Sequence, residues 1–176
     1  MSHYRRNYLA GGTFFFTVKL ANSKSCLLVE QIDLLREAYA FVQQRYAFET
    51  VAVCVLPNHI HAVWALPDGD DDYSLRWRLL KTKFSDAFES LENISASKKR
   101  RREKGIWQLR FYEHTVCDDA DLRRCVDYVY FNPVKHGLVN SVKEWPFSSF
   151  HRDVRRGLFA LDWGGSKESS VMNLGE

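Results

Sequence analysis

Two strand-like segments joined by a two-residue turn constrain the fold more than any other feature of the sequence. Residues 48–56 and 59–66 are rich in valine, alanine and aromatic side chains, and the dipeptide between them, Pro57-Asn58, is typical of a tight turn. A connection this short joins strands that run antiparallel and side by side. The sequence therefore predicts a β-hairpin around which the other elements must be arranged.

The flanking segments alternate between strand and helix periodicity. Residues 13–20 are β-branched and aromatic and predict a strand, whereas residues 29–45 predict a helix because their apolar positions recur every three or four residues. A second helix is predicted from about Ser74, and residues 106–116 are predicted to be extended. Residues 118–132 predict a further helix, which Pro133 is expected to end. The order β-α-β-β-α-β, with one extra helix, is typical of an α+β ferredoxin-like sandwich, an antiparallel sheet with helices packed on it.

The composition excludes several other classes of protein. A chain of 176 residues with 45% hydrophobic residues can bury the core of one domain. Its longest apolar stretch, residues 51–56, is far shorter than the roughly 20 residues of a membrane helix, and its first residues lack a signal-peptide pattern. The four cysteines lack C-x-x-C spacing, so we expect reduced thiols in a cytoplasmic protein. Residues 158–176 are expected to form a loosely docked tail behind a domain of residues 1–157.

Positive charge is concentrated in one short segment. Residues 98–104 (KKRRREK) carry six cations and one anion, whereas the whole chain has 25 basic and 22 acidic residues and a formal net charge of +3. Such a cluster is either a solvated loop or a surface for phosphate groups. Smaller basic groups at Arg5-Arg6 and around Arg152 favour a polyanionic partner.

The strongest local signal is the segment PNHIHAVWALP. Because side chains alternate along a strand, His59 and His61 project from the same face, about 6 to 7 Å apart along the strand. Two imidazoles so placed can converge on one cation. The alternative is that both are ordinary polar residues of a half-exposed strand, although their apolar surroundings require each ring to have a partner.

The second signal is the segment VDYVYFNPVKHG. On a helix Tyr128 and Asn132 lie on one face, whereas Tyr130 is rotated by about 200° from Tyr128. If the Asn132 carboxamide completes a site with His59 and His61, the ligand set suits Mg²⁺ or Mn²⁺ with open positions for phosphate oxygens. Tyr128 would then stand beside the ion, where its hydroxyl could attack phosphorus and form a covalent phosphotyrosine. The alternative is that Tyr128 is a packing residue.

Several motifs, in this order along the chain, carry a family resemblance. PNHIHAVWALP, then WQLRFYEH, then YVYFNPVKHGLV resemble the single-tyrosine HUH transposases and, within them, the REP-associated tyrosine transposases. The likeness extends over about residues 4–163. It implies a ferredoxin-like catalytic domain, here residues 1–157, that binds single-stranded DNA folded into REP-type hairpins. It also implies cleavage and rejoining with Mg²⁺ or Mn²⁺ through a 5′-phosphotyrosine that leaves a free 3′-hydroxyl.

The resemblance assigns roles residue by residue. His59 and His61 match the metal ligands, Tyr128 matches the nucleophile, and Asn132 stands where relatives supply a third polar ligand, often a glutamine with one more methylene. His114 is expected to support the metal-binding strand from behind the ligands. The REP-associated group is expected to be monomeric and, acting on chromosomal DNA, to lie in the cytoplasm with the nucleoid.

Contacts with DNA are expected from cationic and aromatic side chains, since single strands are held by phosphate neutralisation and base stacking. The candidates are Tyr4, Arg5, Arg6, Lys98, Lys99, Arg100, Arg101, Arg102 and Arg152. A histidine-triad hydrolase is disfavoured because Val63 stands at the third histidine position, and a zinc deaminase lacks its H-x-E and P-C-x-x-C motifs. A hairpin-binding protein that has lost catalysis remains as the alternative function.

Overall fold

An antiparallel sheet of four strands lies at the centre of the computed structural model, which describes residues 7–89, 104–165 and 174–175. The strands are β1 (Thr13–Lys19), β2 (Glu49–Val55), β3 (His59–Ala65) and β4 (Tyr112–Thr115), in the spatial order β2-β3-β1-β4. β2 and β3 form the predicted hairpin, and β1 pairs with β3 along its whole length. This is the predicted α+β ferredoxin-like sandwich, because the strand order and the helices between the strands match that fold.

Helices cover both faces of the sheet. They are α1 (Leu27–Glu30), α2 (Ile32–Arg45), α3 (Tyr73–Ser85), α4 (Asp119–Lys135) and α5 (Phe150–Arg155), with a short 3₁₀ turn at Val142–Glu144. α2 and α3 pack on one face and α4 and α5 on the other. Within the described part of the chain, no helix is both long and apolar enough to cross a membrane.

The alternation of β1 separates two apolar cores. Phe14, Phe16 and Val18 point toward α2 and α3, whereas Phe15 points toward α4. On the first face the ring of Trp64 stacks on that of Trp77 at 4.2 Å, nearly parallel. Trp64 therefore joins the middle of the sheet to α3, and the face opposite is left for α4.

α4 extends further than the sequence predicted, because it continues through Pro133 to Lys135. Pro133 lacks the N–H that would bond to the carbonyl oxygen of Val129, so the helix loses one backbone hydrogen bond, and only Val134 and Lys135 follow it. The N–H of His136 donates to the carbonyl oxygen of Asn132 (3.0 Å), and Gly137, with φ of 67°, ends the helix in the left-handed conformation.

The segment that was predicted to be extended, residues 106–116, forms a strand only at Tyr112–Thr115. Among residues 106–111, only Trp107 forms a β-bridge, with Leu20.

A buried polar network fixes α4 and α5 to the sheet. The Tyr130 hydroxyl donates to Asp153 Oδ2 at 2.5 Å and lies 3.0 Å from Ser149 Oγ. Burial, together with the neighbouring Asp153 carboxylate, raises the pKa of Tyr130 well above its usual value. Arg152 binds Asp153 and donates to the carbonyl oxygens of two β2 residues, Thr50 and Val51. The network joins α4, α5 and β2.

The chain beyond residue 157 continues to pack against this face. Phe159 and Trp163 contact the ring of Phe150, with centroid distances of 5.9 and 6.0 Å. Leu174 is buried in the same apolar cluster. Leu158 and Leu161 nevertheless stay exposed, so residues 158–165 touch the domain mainly through two aromatic rings. The loosely docked tail and the domain boundary at residue 157 stay predictions.

The Tyr130 network predicts a difference between two tyrosines. Tyr130→Phe should lower the free energy of unfolding by about 1 to 2 kcal/mol, since it removes a buried donor from Asp153 and Ser149. Tyr46→Phe removes a hydroxyl from a side chain that is 37% exposed and should change stability little. Urea unfolding followed by circular dichroism measures both, and equal losses would contradict the structural role of the network.

Candidate active site

Two imidazoles converge at the start of β3. His59 and His61 are 7% and 0% exposed, and their Nε2 atoms lie 3.1 Å apart. The strand places both rings on the face of the sheet that α4 covers, as the H-x-H spacing predicted. The structure therefore brings the two predicted ligands together.

Hydrogen bonds at the opposite ring nitrogens determine the tautomer of each histidine. Thr17 donates its hydroxyl proton to the carbonyl oxygen of Leu174 (2.6 Å), so Thr17 Oγ1 accepts from Nδ1 of His61 at 2.9 Å. Asn58 donates its amide N–H to the carbonyl oxygen of Ser23, so Asn58 Oδ1 accepts from Nδ1 of His59 at 2.6 Å. Both Nδ1 atoms therefore act as donors, so a neutral ring at either position directs the lone pair of Nε2 toward the other ring.

This arrangement fits a divalent cation. Two lone pairs 3.1 Å apart repel each other unless a shared proton or a metal ion lies between them. Neighbouring nitrogen ligands of an octahedral ion lie about 3 Å apart when each bond is about 2.1 Å long. The imidazole pair therefore has the separation and the protonation that two neighbouring metal ligands require, and Thr17 and Asn58 hold the rings in place.

The facing surface of α4 brings three further side chains to this pair. The rings of Tyr128 and His61 lie nearly perpendicular to each other with centroids 5.2 Å apart, and Tyr128 also contacts Phe15. Asn132 lies one turn further on and is completely buried. His136, at the helix C-terminus, contacts His59 with the same centroid distance of 5.2 Å. The helix therefore runs along the imidazole pair with Asn132 between two residues that touch it.

Two residues beside the candidate site, Lys135 and His136, were not predicted from the sequence. The ammonium group of Lys135 lies 4.8 Å from the ring centroid of Tyr128, and the His136 ring contacts His59. The signal was present, since His136 follows Tyr128 and Asn132 at the same four-residue spacing. The spacing was not used because Pro133 was expected to end the helix, which would have placed Lys135 and His136 away from the helix face that carries Tyr128 and Asn132.

Residue 174 covers the Tyr128 hydroxyl. The Leu174 N–H donates to this hydroxyl at 3.4 Å, while the Leu174 carbonyl accepts from Thr17. Tyr128 is completely buried as a result of these contacts and those from β1. Any substrate that reaches the hydroxyl must displace Leu174.

Tyr130 is directed away from the imidazoles. Its hydroxyl is bound to Asp153 and Ser149 on the other side of α4. The rotation of about 200° expected from helix geometry separates the two tyrosines. Only Tyr128 of this pair contacts the imidazoles.

His114 lies in a second polar cluster, at the edge of the sheet. Its Nε2 is 2.8 Å from Asp121 Oδ2, and the thiol of Cys125 is close enough for the three donors to lie within 4.8 Å of one another. Burial acts to raise the pKa of Asp121, but hydrogen bonds from the Cys117 N–H and His114 hold it below its usual value. Burial also raises the pKa of Cys125 to about 12. Because Arg124 also pairs with Asp121, the cluster mainly joins β4 to α4; support of the ligands by His114 stays a prediction.

The predicted DNA contacts are described only in part. All three guanidinium nitrogens of Arg152 are bound to Asp153 and to β2 carbonyl groups, so its contact with DNA stays a prediction. The remaining candidates lie outside the described residues, namely Tyr4, Arg5, Arg6, Lys98, Lys99, Arg100, Arg101 and Arg102.

Comparison with known proteins gives close relatives over nearly the whole chain. A REP-associated tyrosine transposase of Escherichia coli is 50% identical over 165 residues, which cover 94% of this chain and 92% of that protein. A candidate REP-associated tyrosine transposase of Haemophilus influenzae is 45% identical over 172 residues, covering 97% and 98%. A solved structure of a REP-associated tyrosine transposase bound to a REP hairpin superposes with a TM-score of 0.88 at 48% identity, covering 100% of this chain and 98% of that one. No protein-family model matches the chain.

Loss of one imidazole should abolish tight metal binding. His59→Ala removes one of two converging lone pairs, so we expect Mn²⁺ to bind about 100-fold more weakly or worse. The free Mn²⁺ signal in electron paramagnetic resonance measures this without any enzymatic assay. His151→Ala is the matched control, because His151 lies 3.1 Å from a backbone carbonyl of Trp145 instead. An equal loss in both variants would show that the pair is not the binding site.

Displacement of residue 174 should expose Tyr128. Leu174→Asp places a carboxylate in the apolar cluster, which favours displacement of residue 174. We expect tetranitromethane to modify Tyr128 severalfold faster, as measured by peptide mass spectrometry, with no change at Tyr130. Leu161→Asp alters a leucine that is 55% exposed and serves as the control. Unchanged modification of Tyr128 in the Leu174 variant would show that this contact does not limit access.

Proposed function

The chain belongs to the REP-associated tyrosine transposases, and we propose that Tyr128 is the nucleophile with which it cleaves and rejoins DNA that carries REP-type hairpins. The observation that carries this assignment is the contact between the Tyr128 ring and an imidazole pair whose lone pairs converge. A tyrosine that served only for packing would be expected to contact apolar side chains, whereas Tyr128 contacts a pair of imidazoles that can bind a cation. Tyr130 lies on the opposite side of the helix and is bound to a carboxylate.

The reaction is a transesterification. The oxygen of the Tyr128 hydroxyl forms a bond to the phosphorus of the scissile phosphodiester, and the bond from phosphorus to the 3′-oxygen breaks. The phenol loses its proton and the departing oxygen gains one, which leaves a 3′-hydroxyl and a 5′-phosphotyrosine. The reverse attack by a 3′-hydroxyl rejoins DNA, because the energy of the phosphodiester is kept in the covalent link.

A divalent metal ion is the cofactor of this chemistry, and we propose Mg²⁺ or Mn²⁺. His59 and His61 would hold it through Nε2, and Asn132 would add an oxygen ligand from the facing helix. When bound, such an ion polarises the phosphate and neutralises the charge that develops on it.

The surrounding residues orient the nucleophile. Phe15 and His61 pack against the Tyr128 ring from the sheet side at nearly perpendicular angles, so the ring has little freedom to move. The ammonium group of Lys135, 4.8 Å from the ring centroid, places positive charge beside the phenol. Positive charge there favours the phenolate and attracts a phosphate to the same point.

The proposed substrate is single-stranded DNA that folds into a hairpin. Support comes from the solved relative, which is bound to a REP hairpin. The cationic residues near the N-terminus and in residues 98–102 supply charge for phosphates. We further propose that the protein acts as a monomer in the cytoplasm, in association with the nucleoid.

A covalent adduct tests the assignment of Tyr128. Wild-type protein, a labelled hairpin oligonucleotide and Mn²⁺ should yield a protein–DNA band that survives denaturing electrophoresis. Tyr128→Phe should abolish this band, lowering its yield at least about 10³-fold, because the reaction depends on the hydroxyl that this substitution removes. Tyr130→Phe should retain it in whatever fraction of the protein is folded.

Two other outcomes have distinct meanings. An adduct that persists in Tyr128→Phe but is lost in Tyr130→Phe would overturn the assignment of the nucleophile. Tight hairpin binding by wild type with no adduct in either Mg²⁺ or Mn²⁺ would instead favour the alternative function, a hairpin-binding protein without catalysis.

A further inference from the structure

Three side chains that can bind a metal ion lie together at the edge of the sheet, where β4 meets the first half of α4. His114 is on β4, and Asp121 and Cys125, four residues apart, lie on one face of α4. Their ligand atoms, an imidazole nitrogen, a carboxylate oxygen and a thiol sulfur, all lie within 4.8 Å of one another. Among the residues that the structure describes, no other three histidine, cysteine or acidic side chains are grouped so closely. We call this group the β4 cluster.

β1 separates the β4 cluster from the imidazole pair. Phe15 of β1 is opposite His114 on one side, and Thr17 of the same strand is opposite His61 on the other. Two strand spacings, about 10 Å, therefore lie between His114 and His61. The β4 cluster is a separate set of ligands and does not extend the candidate active site.

The donor atoms of the β4 cluster favour a different ion from that of the imidazole pair. Thiolate and imidazole are ligands that Zn²⁺ prefers, whereas Mg²⁺ and Mn²⁺ prefer oxygen. The ligand atoms of a tetrahedral zinc ion lie about 3.3 to 3.6 Å apart, because its bonds are about 2.0 to 2.3 Å long. His114 Nε2 and Asp121 Oδ2 are 2.8 Å apart, and no ligand atom of the cluster is more than 4.8 Å from another. Small side-chain rotations therefore bring all three donors to the distances of a zinc site.

The Asp121 carboxylate can accept a cation in addition to its present partners. It accepts hydrogen bonds from His114, from the Cys117 N–H and from Arg124. A carboxylate has about four lone-pair positions, so these three bonds do not fill it. The Arg124 side chain is 41% exposed, so its guanidinium group can turn toward solvent when a cation binds beside Asp121.

The protons of the cluster can be accounted for when a metal binds. Burial, and after it the Asp121 carboxylate, raises the pKa of Cys125 to about 12, so the thiol is protonated without a metal. Coordination releases this proton to solvent, and the cation then removes the repulsion between thiolate and carboxylate. His114 binds through Nε2 once its ring proton is carried on Nδ1.

We propose that the β4 cluster is a Zn²⁺ site formed by His114, Asp121 and Cys125, an inference that does not rest on the proposed function. The fourth position of the tetrahedron faces solvent on the side of His114, whose side chain is 31% exposed. Zinc held there ties an edge strand of only four residues to α4. Because Tyr128 follows Cys125 by three residues, the ion also fixes the part of the helix that carries Tyr128.

Zinc binding by a variant without the imidazole pair tests this inference. His59→Ala combined with His61→Ala removes the converging lone pairs and leaves the β4 cluster intact. This full-length variant, kept reduced, should bind one Zn²⁺ per chain in competition with a chromophoric chelator. Addition of Cys125→Ala should weaken that binding at least about 100-fold, because it removes the thiolate ligand.

A second buried cysteine provides the matched control. Cys54 is as completely buried as Cys125 and lies in the same apolar core, but it is not part of the β4 cluster. Cys54→Ala in the same background should leave zinc binding unchanged. Circular dichroism of the metal-free proteins verifies that each variant is folded. If Cys125→Ala does not fold, His114→Ala, at a partly exposed position, serves instead and should weaken zinc binding at least about tenfold.

Co²⁺ used in place of Zn²⁺ detects the thiolate ligand directly. Bound Co²⁺ gives thiolate-to-metal charge-transfer absorption in the near ultraviolet, which the imidazole pair cannot produce because it has no sulfur ligand. The absorption should appear in the variant without the imidazole pair, persist with Cys54→Ala and vanish with Cys125→Ala. Absence of this absorption, or of zinc binding, while the β4 cluster is intact would overturn the inference. Equal losses with Cys54→Ala and Cys125→Ala would also overturn it, since damage to the shared core would then explain both.

Discussion

The site depends on the pairing of β1 with β3, because this register places Thr17 opposite His61. The Thr17 hydroxyl accepts from Nδ1 of His61 and thereby turns the lone pair of Nε2 toward the second imidazole. A shift of one residue would point Thr17 into the opposite core and leave the buried ring with an apolar neighbour. The orientation of the His61 ring is thus determined by strand pairing alone and does not require any residue of α4.

α4 contributes the second half of the site through its periodicity and its length. Tyr128 and Asn132 are four residues apart, and His136 repeats the interval, so one helix face follows the direction of the imidazole pair. The helix must continue past Pro133 for the third position to exist, and it must end at once for the loop after it to turn away. Gly137, in the left-handed conformation, provides that end.

The sequence predicted what depends on local periodicity and could not predict what depends on distant contacts. The hairpin around Pro57-Asn58, the shared face of His59 and His61, and the opposite orientation of Tyr128 and Tyr130 all follow from the periods of strand and helix. The partners that complete these residues come from far along the chain: Leu174 bonds to Thr17, and Asp153 binds Tyr130. The extent of α4 was predicted wrongly because Pro133 removes one backbone hydrogen bond without stopping the two residues after it from keeping helical geometry, and the sequence does not show that packing against the sheet holds them there.

The same alternation that builds the site also separates it from the second core. Along β1, every second residue faces α4 and the imidazoles, and the residues between them face α2 and α3. Thr17 and Phe15 contact His61 directly, whereas Phe14 and Phe16 pack on the far side of the sheet against Tyr73. The core beneath α3 therefore supports the sheet without contributing a side chain to the imidazole pair, and the demands of packing and of chemistry fall on alternate residues of one strand.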